Sequence, residues 1–172
     1  SNIVVVAGGD ERSDSVLSAL SNVKFEPHDW VLVHDVARPC LTVDSIHHLI
    51  NSLKNDEVGG ILALPLSDTV KRVVNDHDIY ETVDRNQLWG AQTPQMFPYQ
   101  LLRKGLEQGL KQGLAITDEA SAIELLGLQP KVIEGLASNI KVTRPGDIKL
   151  AEFYLRENSD LSNDANTGSE KK

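Results

Sequence analysis

The 172-residue sequence is 40% hydrophobic with a formal net charge of −8, enough for one α/β domain with a real core but not comfortably for two. No run approaches the roughly 18 apolar residues of a membrane span and no N-terminal signal segment is present, so a soluble, cytoplasmic protein without a membrane partner is expected. The acidic balance excludes a general nucleic-acid binder, since phosphate-backbone affinity needs a basic footprint, but leaves open small anionic substrates where a few cations converge.

The chain opens Ser1-Asn2-Ile3 without an initiator methionine and reads as a fragment or a processed chain. Ile3 to Ala7 is β-branched and bounded by Gly8-Gly9, which predicts a short buried strand ending in a tight turn. Asp10 to Asn22 places Val16, Leu17, Leu20 and Val23 at helical spacing. Glycines between such a strand and helix let the backbone approach a ligand, although Gly-Gly before an acid is also an ordinary turn.

Trp30 to Val33 is apolar without period-2 alternation, as in a strand covered on both faces in the middle of a parallel sheet. His34 and Asp35 then fall at its carboxyl end, where open α/β sheets bind ligands. Two readings stand: Asp35 is a site acid, or it caps a turn beside a solvated Arg38. Cys40, the only cysteine, excludes an internal disulfide framework and a cysteine-rich zinc site, and it lacks an evident base partner; it is read as packing. Thr42 is placed as an N-cap with Asp44 in the first turn and Ile46, Leu49, Ile50 and Leu53 as the apolar face. Ile61 to Leu66 is another continuous apolar strand. Strands separated by helices describe a doubly wound, mostly parallel, Rossmann-like α/β sheet.

Residues 67–88 break this rhythm. Thr69 to Val74 and Ile79 to Val83 are β-prone halves joined by Asn75-Asp76-His77-Asp78, which predicts a protruding β-hairpin arm. An isolated hairpin is marginal in water, so this one is expected to lean on the sheet or on a second subunit. Lys71 and Arg72 read as a charged edge. Pro94 restricts Ala91 to Phe97 to an edge strand or a strand start. Tyr99 to Lys111 is helical with Leu101, Leu102, Leu106 and Leu110 inward, and Gly113 closes it. Thr117-Asp118-Glu119 caps a helix over Ala120 to Leu126. Lys131 to Gly135 and Ile140 to Val142 are short strands, and Pro145 opens a final helix, Asp147 to Leu155. Residues 157–172 are polar and expected to be disordered, leaving 1–156 as the folded domain. His28, His47, His48 and His77 show no ligand spacing with acids and are taken as surface groups.

Gly8-Gly9-Asp10-Glu11-Arg12, Val33 to Pro39, Thr82-Val83-Asp84-Arg85, Thr93-Pro94-Gln95, Ile116 to Ser121 and Asn139 to Thr143 occur in this order. Together they resemble the 2-C-methyl-D-erythritol 4-phosphate cytidylyltransferases over about Ile3 to Leu155. That resemblance implies a nucleotidyltransferase of the non-mevalonate isoprenoid pathway that joins CTP and a polyol phosphate, releasing pyrophosphate. It also implies a departure. The family's glycine-rich CTP loop with its arginine and lysine, and the βα unit that carries it, are not in these residues, so the chain by itself is expected to be inactive.

Residue by residue, the resemblance implies nucleotide contacts at Gly9, Asp10, Ser15, Asp35, Val36 and Ala37. It implies polyol-phosphate contacts at Thr69, Arg85, Thr93, Thr117 and Lys141, with Asp35, Arg85 and Lys141 as the catalytic set and Arg38 as a structural residue near the site. Asp35 would hold the Mg²⁺ cofactor, and the hairpin would reach into the partner of a homodimer so that Thr69 and Arg85 complete the neighbour's site. Taken without the family, Thr93 is turn chemistry, Thr117 a helix cap and Lys141 a solvated strand residue. A ribitol-phosphate-type cytidylyltransferase and a non-catalytic dimerisation fragment remain the alternatives.

Overall fold

The computed structural model describes residues 3–26 and 28–167. Helix α1 (Arg12–Asn22) is followed by strand β1 (Trp30–Val33), helix α2 (Val43–Leu53) and strand β2 (Gly60–Pro65). Strands β3 (Val70–Val74), β4 (Asp78–Val83) and β5 (Trp89–Pro98) come next, then helices α3 (Tyr99–Gln112) and α4 (Glu119–Glu124), strand β6 (Lys131–Glu134) and helix α5 (Pro145–Thr167). Four strands form one sheet in the order β1-β5-β2-β6, and β3 and β4 form a separate two-stranded sheet. The α/β class and the hairpin expected from the sequence are therefore present.

The single folded domain read from the sequence divides into two compact units, one comprising residues 1–34, 48–62 and 93–133, the other residues 35–47, 63–92 and 134–172. In the first unit Phe97, Leu49, Leu53, Leu62, Leu102, Leu106 and Ile123 are fully buried. Helix α3 follows β5 directly and turns its Leu102 and Leu106 inward, as the leucine spacing predicts. Gly113 ends it at φ 64°, the left-handed conformation that favours glycine. Gly105 lets α3 press on α4: a Cβ there would lie 2.3 Å from the Ala122 carbonyl oxygen.

In the second unit Thr42 accepts a hydrogen bond from the Ser45 N–H at 3.1 Å, the expected cap of α2. The hairpin turns through Asn75 (φ 47°) and Asp76 (φ 68°), the residue types that tolerate such angles. Its register pairs Lys71 with Thr82 and Arg72 with Glu81. Both basic residues are used across the strands: Lys71 Nζ lies 2.6 Å from Thr82 Oγ1 and Arg72 Nε 3.0 Å from Glu81 Oε1.

Five sequence expectations change. Ile3 to Ala7 is not a strand; among the described residues it has no ladder partner, and Ile3, Val4 and Val5 are exposed. High β propensity does not make a strand without a second strand to pair with. β1 is not central but at one end of the sheet, antiparallel to β5, with Leu32 exposed. Pro94 lies in a strand flanked on both sides rather than at an edge. The β1 ladder stops at Val33 opposite Gln95, so the residue without an N–H sits just beyond it. Ile140 to Val142 is not a strand, and is attached through the Val142 N–H to the Ala37 carbonyl at 2.8 Å. Finally, α5 runs from Pro145 to Thr167, longer than the Asp147–Leu155 helix predicted. The added stretch is polar, yet no proline or glycine interrupts the helix between Asp147 and Thr167, and polarity alone does not stop a helix. Residues 168–172 of the expected tail lie outside the described residues.

Candidate active site

In the first unit the glycine turn folds back on the start of α1. The Gly9 N–H donates to Ser15 Oγ at 3.0 Å, and that hydroxyl donates to the Glu11 carbonyl at 3.2 Å. The Glu11 N–H donates to Asp14 at 3.1 Å. Glycine is required for this closeness, since a Cβ at position 9 would lie 2.2 Å from that of Asp14. Gly9 and Ser15, two of the residues assigned to the nucleotide, are thus brought together with the exposed Asp10 between them in sequence.

Thr93 and Gln95 are buried on β5 two residues apart, which places them on one face of the strand. Thr93 Oγ1 lies 2.9 Å from His34 Nδ1. Gln95 Nε2 donates to Asp118 Oδ2 and the Ala120 N–H donates to Gln95 Oε1, each at 2.9 Å. Asp118, not Thr117, is the N-cap of α4: its Oδ1 accepts from the Ser121 N–H at 2.9 Å, and its own N–H donates to Ser121 Oγ at 3.3 Å. Thr117 stands exposed immediately before this fixed cap. A cap role for Thr117 is thereby displaced by its neighbour.

In the second unit Asp35 and Lys141 form an ion pair at 2.9 Å, the carboxylate side chain 15% and the ammonium side chain 46% exposed. Residues 35–38 form a turn closed by the Arg38 N–H on the Asp35 carbonyl at 2.9 Å, with Val36 and Ala37 at its tip. The bond from the Val142 N–H to Ala37 holds the Lys141 segment against the turn, which is how residues 106 positions apart meet. Arg38 braces the same region, Nη1 donating to the Asn139 carbonyl at 2.7 Å and Nη2 to that of Ala91 at 3.2 Å. Burial holds its guanidinium pKa below the ordinary value, partly opposed by the nearby Asp35 carboxylate.

Thr69 and Arg85 flank the hairpin just outside its Val70–Val83 pair. Both are exposed, and among the described residues neither side chain makes a hydrogen bond or ion pair. Each set of residues is assembled within its own unit. His28, His47, His48 and His77 are exposed, as expected. Burial around Cys40 raises its thiol pKa, consistent with packing rather than nucleophilic chemistry.

No group of three or more His, Cys, Asp or Glu side chains capable of holding a metal occurs among the described residues. Mg²⁺ is commonly held by one or two carboxylates together with substrate phosphates and water. Asp35, a partly exposed carboxylate at the mouth of a turn, fits that kind of site and no all-protein cage.

Three residues near the assigned positions are given no role by the sequence: His34 against Thr93, Gln95 against Asp118, and Glu119, which is 1% exposed. A signal was available. Polar side chains inside otherwise buried elements need partners, so Gln95 in an apolar strand and an acid at the buried start of α4 each called for one.

A model of the family described as "IspD: 2-C-methyl-D-erythritol 4-phosphate cytidylyltransferase" matches residues 1–157. The 2-C-methyl-D-erythritol 4-phosphate cytidylyltransferase of Vibrio parahaemolyticus is 54% identical over 155 residues, covering 90% of this chain and 66% of the relative. That of Vibrio vulnificus strain YJ016 is 53% identical over 161 residues, covering 92% and 68%. The crystal structure of the Francisella tularensis enzyme superposes with a TM-score of 0.80 at 38% identity, over 86% of this chain and 69% of that one. The chain spans about two thirds of the length of these relatives.

Proposed function

The chain belongs to the 2-C-methyl-D-erythritol 4-phosphate cytidylyltransferase family, and we propose that it serves the reaction joining CTP to 2-C-methyl-D-erythritol 4-phosphate, giving CDP-methylerythritol and pyrophosphate. The observation that carries this reading is the Asp35–Lys141 pair beside the Val36–Ala37 turn. A carboxylate and an ammonium held together at a strand end are suited to a site where polyanions meet.

The chemistry asks little of a base. A phosphate monoester has its second pKa near 6 and is mostly dianionic at neutral pH, so its oxygen can attack the α-phosphate of CTP unaided. Positioning and charge neutralisation are the protein's task. Lys141 neutralises the polyol phosphate, and its pairing with Asp35 keeps the ammonium oriented before substrate arrives. Arg85 and Thr69 supply a second cation and a hydroxyl from the hairpin, and the family resemblance assigns further polyol-phosphate contacts to Thr93 and Thr117. Gly9, Asp10 and Ser15 receive the cytosine and ribose, and Val36 and Ala37 border the nucleotide. Asp35 would hold Mg²⁺, which when bound supplies further neutralisation of the reacting phosphates. Arg38 holds the turn in shape.

The exposed hairpin supports a homodimer in which Thr69 and Arg85 of one copy serve the other; Val73, Ile79 and Tyr80 on it are more than half exposed. Among the described residues no helix is long and apolar enough to cross a membrane, which agrees with work in the cytoplasm. The test is pyrophosphate release from CTP, measured with 2-C-methyl-D-erythritol 4-phosphate and with ribitol 5-phosphate on the chain joined to the N-terminal segment of a full-length relative, since the chain by itself is expected to be inactive. Release with the first alone is expected. Preference for ribitol 5-phosphate, or no release with either, overturns the assignment.

A further inference from the structure

Arg12 and Glu119 belong to two of the sequence motifs, have no part in the proposed chemistry, and pair with one another. Arg12 Nη1 donates to Glu119 Oε1 and Nη2 to Oε2 at 2.9 Å, a two-pronged contact in which the carboxylate is 1% exposed and the guanidinium 35%. Parallel prongs of this kind fix orientation as well as distance.

Local helix energetics do not account for the placement. Arg12 is the first residue of α1, the end of a helix where a cation is unfavourable, while Glu119 is the first residue of α4, where an anion is favoured. A buried ion pair also offers little over well-packed apolar side chains of the same volume. What the fork does is geometric. Arg12 lies inside the segment that folds back on itself through Gly9, Glu11, Asp14 and Ser15, so the Gly9–Ser15 turn and Arg12 keep one shape. Glu119 lies two residues after Thr117, next to the Asp118 cap that Gln95 holds.

We propose that the Arg12–Glu119 fork is a positioning device that sets the Gly9–Ser15 turn against Thr117 and thereby couples nucleotide binding to polyol-phosphate binding. The proposal rests on the assignment of Gly9, Asp10 and Ser15 to the nucleotide and of Thr117 to the polyol phosphate. Neither Arg12 nor Glu119 touches a substrate. Each acts through the residues it holds, so occupation of one subsite settles the other.

The test measures, by titration calorimetry on the chain joined to the N-terminal segment of a full-length relative, binding of α,β-methylene CTP, which cannot release pyrophosphate, with and without saturating 2-C-methyl-D-erythritol 4-phosphate. The wild-type chain is expected to bind the nucleotide at least about fivefold more tightly when the polyol phosphate is present. Paired replacement, Arg12→Met with Glu119→Leu, keeps the volume and removes the fork. It is expected to leave the thermal midpoint close to wild type and to bring the ratio close to one. Arg12→Lys, which keeps the charge without the planar fork, is expected to reduce the ratio as well and decides the matter where the paired variant does not fold. A ratio unchanged in the folded variants overturns the proposal, since a purely structural pair would alter only stability. Nucleotide binding in the wild type that ignores the polyol phosphate also overturns it while sparing the functional assignment. Absence of any nucleotide binding in the wild type overturns the assignment and the proposal together.

Discussion

The corner built from Thr93, Gln95, Asp118 and Glu119 and the hairpin that carries Thr69 and Arg85 have opposite surroundings. In the corner Thr93, Gln95 and Glu119 are buried and tied by hydrogen bonds to residues distant in sequence. At the hairpin base Thr69 and Arg85 are exposed, and the cross-strand contacts lie farther along the arm. Buried polar groups specify geometry at a high cost when a partner is lost, whereas exposed ones can be exchanged with little effect on folding. The difference separates residues whose loss costs stability from residues that can be replaced with little effect on folding.

The largest effect that would break this contrast is at Glu119. Glu119→Ala leaves the buried end of the Arg12 guanidinium without its carboxylate and is expected to cost about 3 kcal/mol, at the low end for a broken buried pair because Arg12 is partly exposed. Urea denaturation checks it, and a loss under 1 kcal/mol would place this corner with the hairpin. Next comes Arg85→Ala, expected, in the chain joined to the N-terminal segment of a full-length relative, to reduce kcat/KM for the polyol phosphate about 100-fold through loss of a charge-assisted contact, while leaving urea stability and nucleotide affinity near wild type. Equal losses for both substrates would remove the role given to it.

A smaller effect tests the buried side again. Asp56 accepts hydrogen bonds from the Val58 and Gly59 N–H groups at 2.8 and 2.7 Å and pairs with Lys131 at 2.5 Å. The Gly59 hydrogen bond first, and then Lys131, hold its carboxyl pKa below the ordinary value. With the folded pKa depressed, the stabilisation is fully present above the unfolded value near 4 and is lost as pH falls through the folded one. Asp56→Ala is expected to cost about 1–2 kcal/mol at pH 7 and less below pH 4, read from denaturation at several pH values. The smallest is Lys71→Ala on the arm: its bond to Thr82 is exposed, so the thermal midpoint should not move measurably.

Helices α2 and α3 were legible because their information is local: a cap at Thr42, leucines one turn apart, a glycine where the chain turns left-handed. The hairpin was legible for the same reason, its Asn-Asp turn lying between two β-prone runs. Strand assignments failed where the deciding partner is remote. Ile3 to Ala7 and Ile140 to Val142 have the composition of strands but no ladder, and Pro94 was tolerated by a register that only the pairing with β1 reveals. The site divides likewise. Asp35 at a strand end and the Gly9 turn carry local signals, but nothing near Lys141 or Glu119 in sequence announces a partner more than 100 residues away. Buried polar residues in apolar elements were the one readable trace of those partnerships.

The turn at residues 35–38 offers a route to watching the nucleotide arrive. Val36 at its tip is 97% exposed, while Cys40, the chain's single thiol, is 1% exposed and has its pKa raised by burial. Val36→Cys therefore creates one thiol that a maleimide dye modifies and leaves the native one out of reach. Under the proposed assignment of Val36 to the nucleotide, a change in the dye's emission on adding CTP is expected, and no change would remove that assignment.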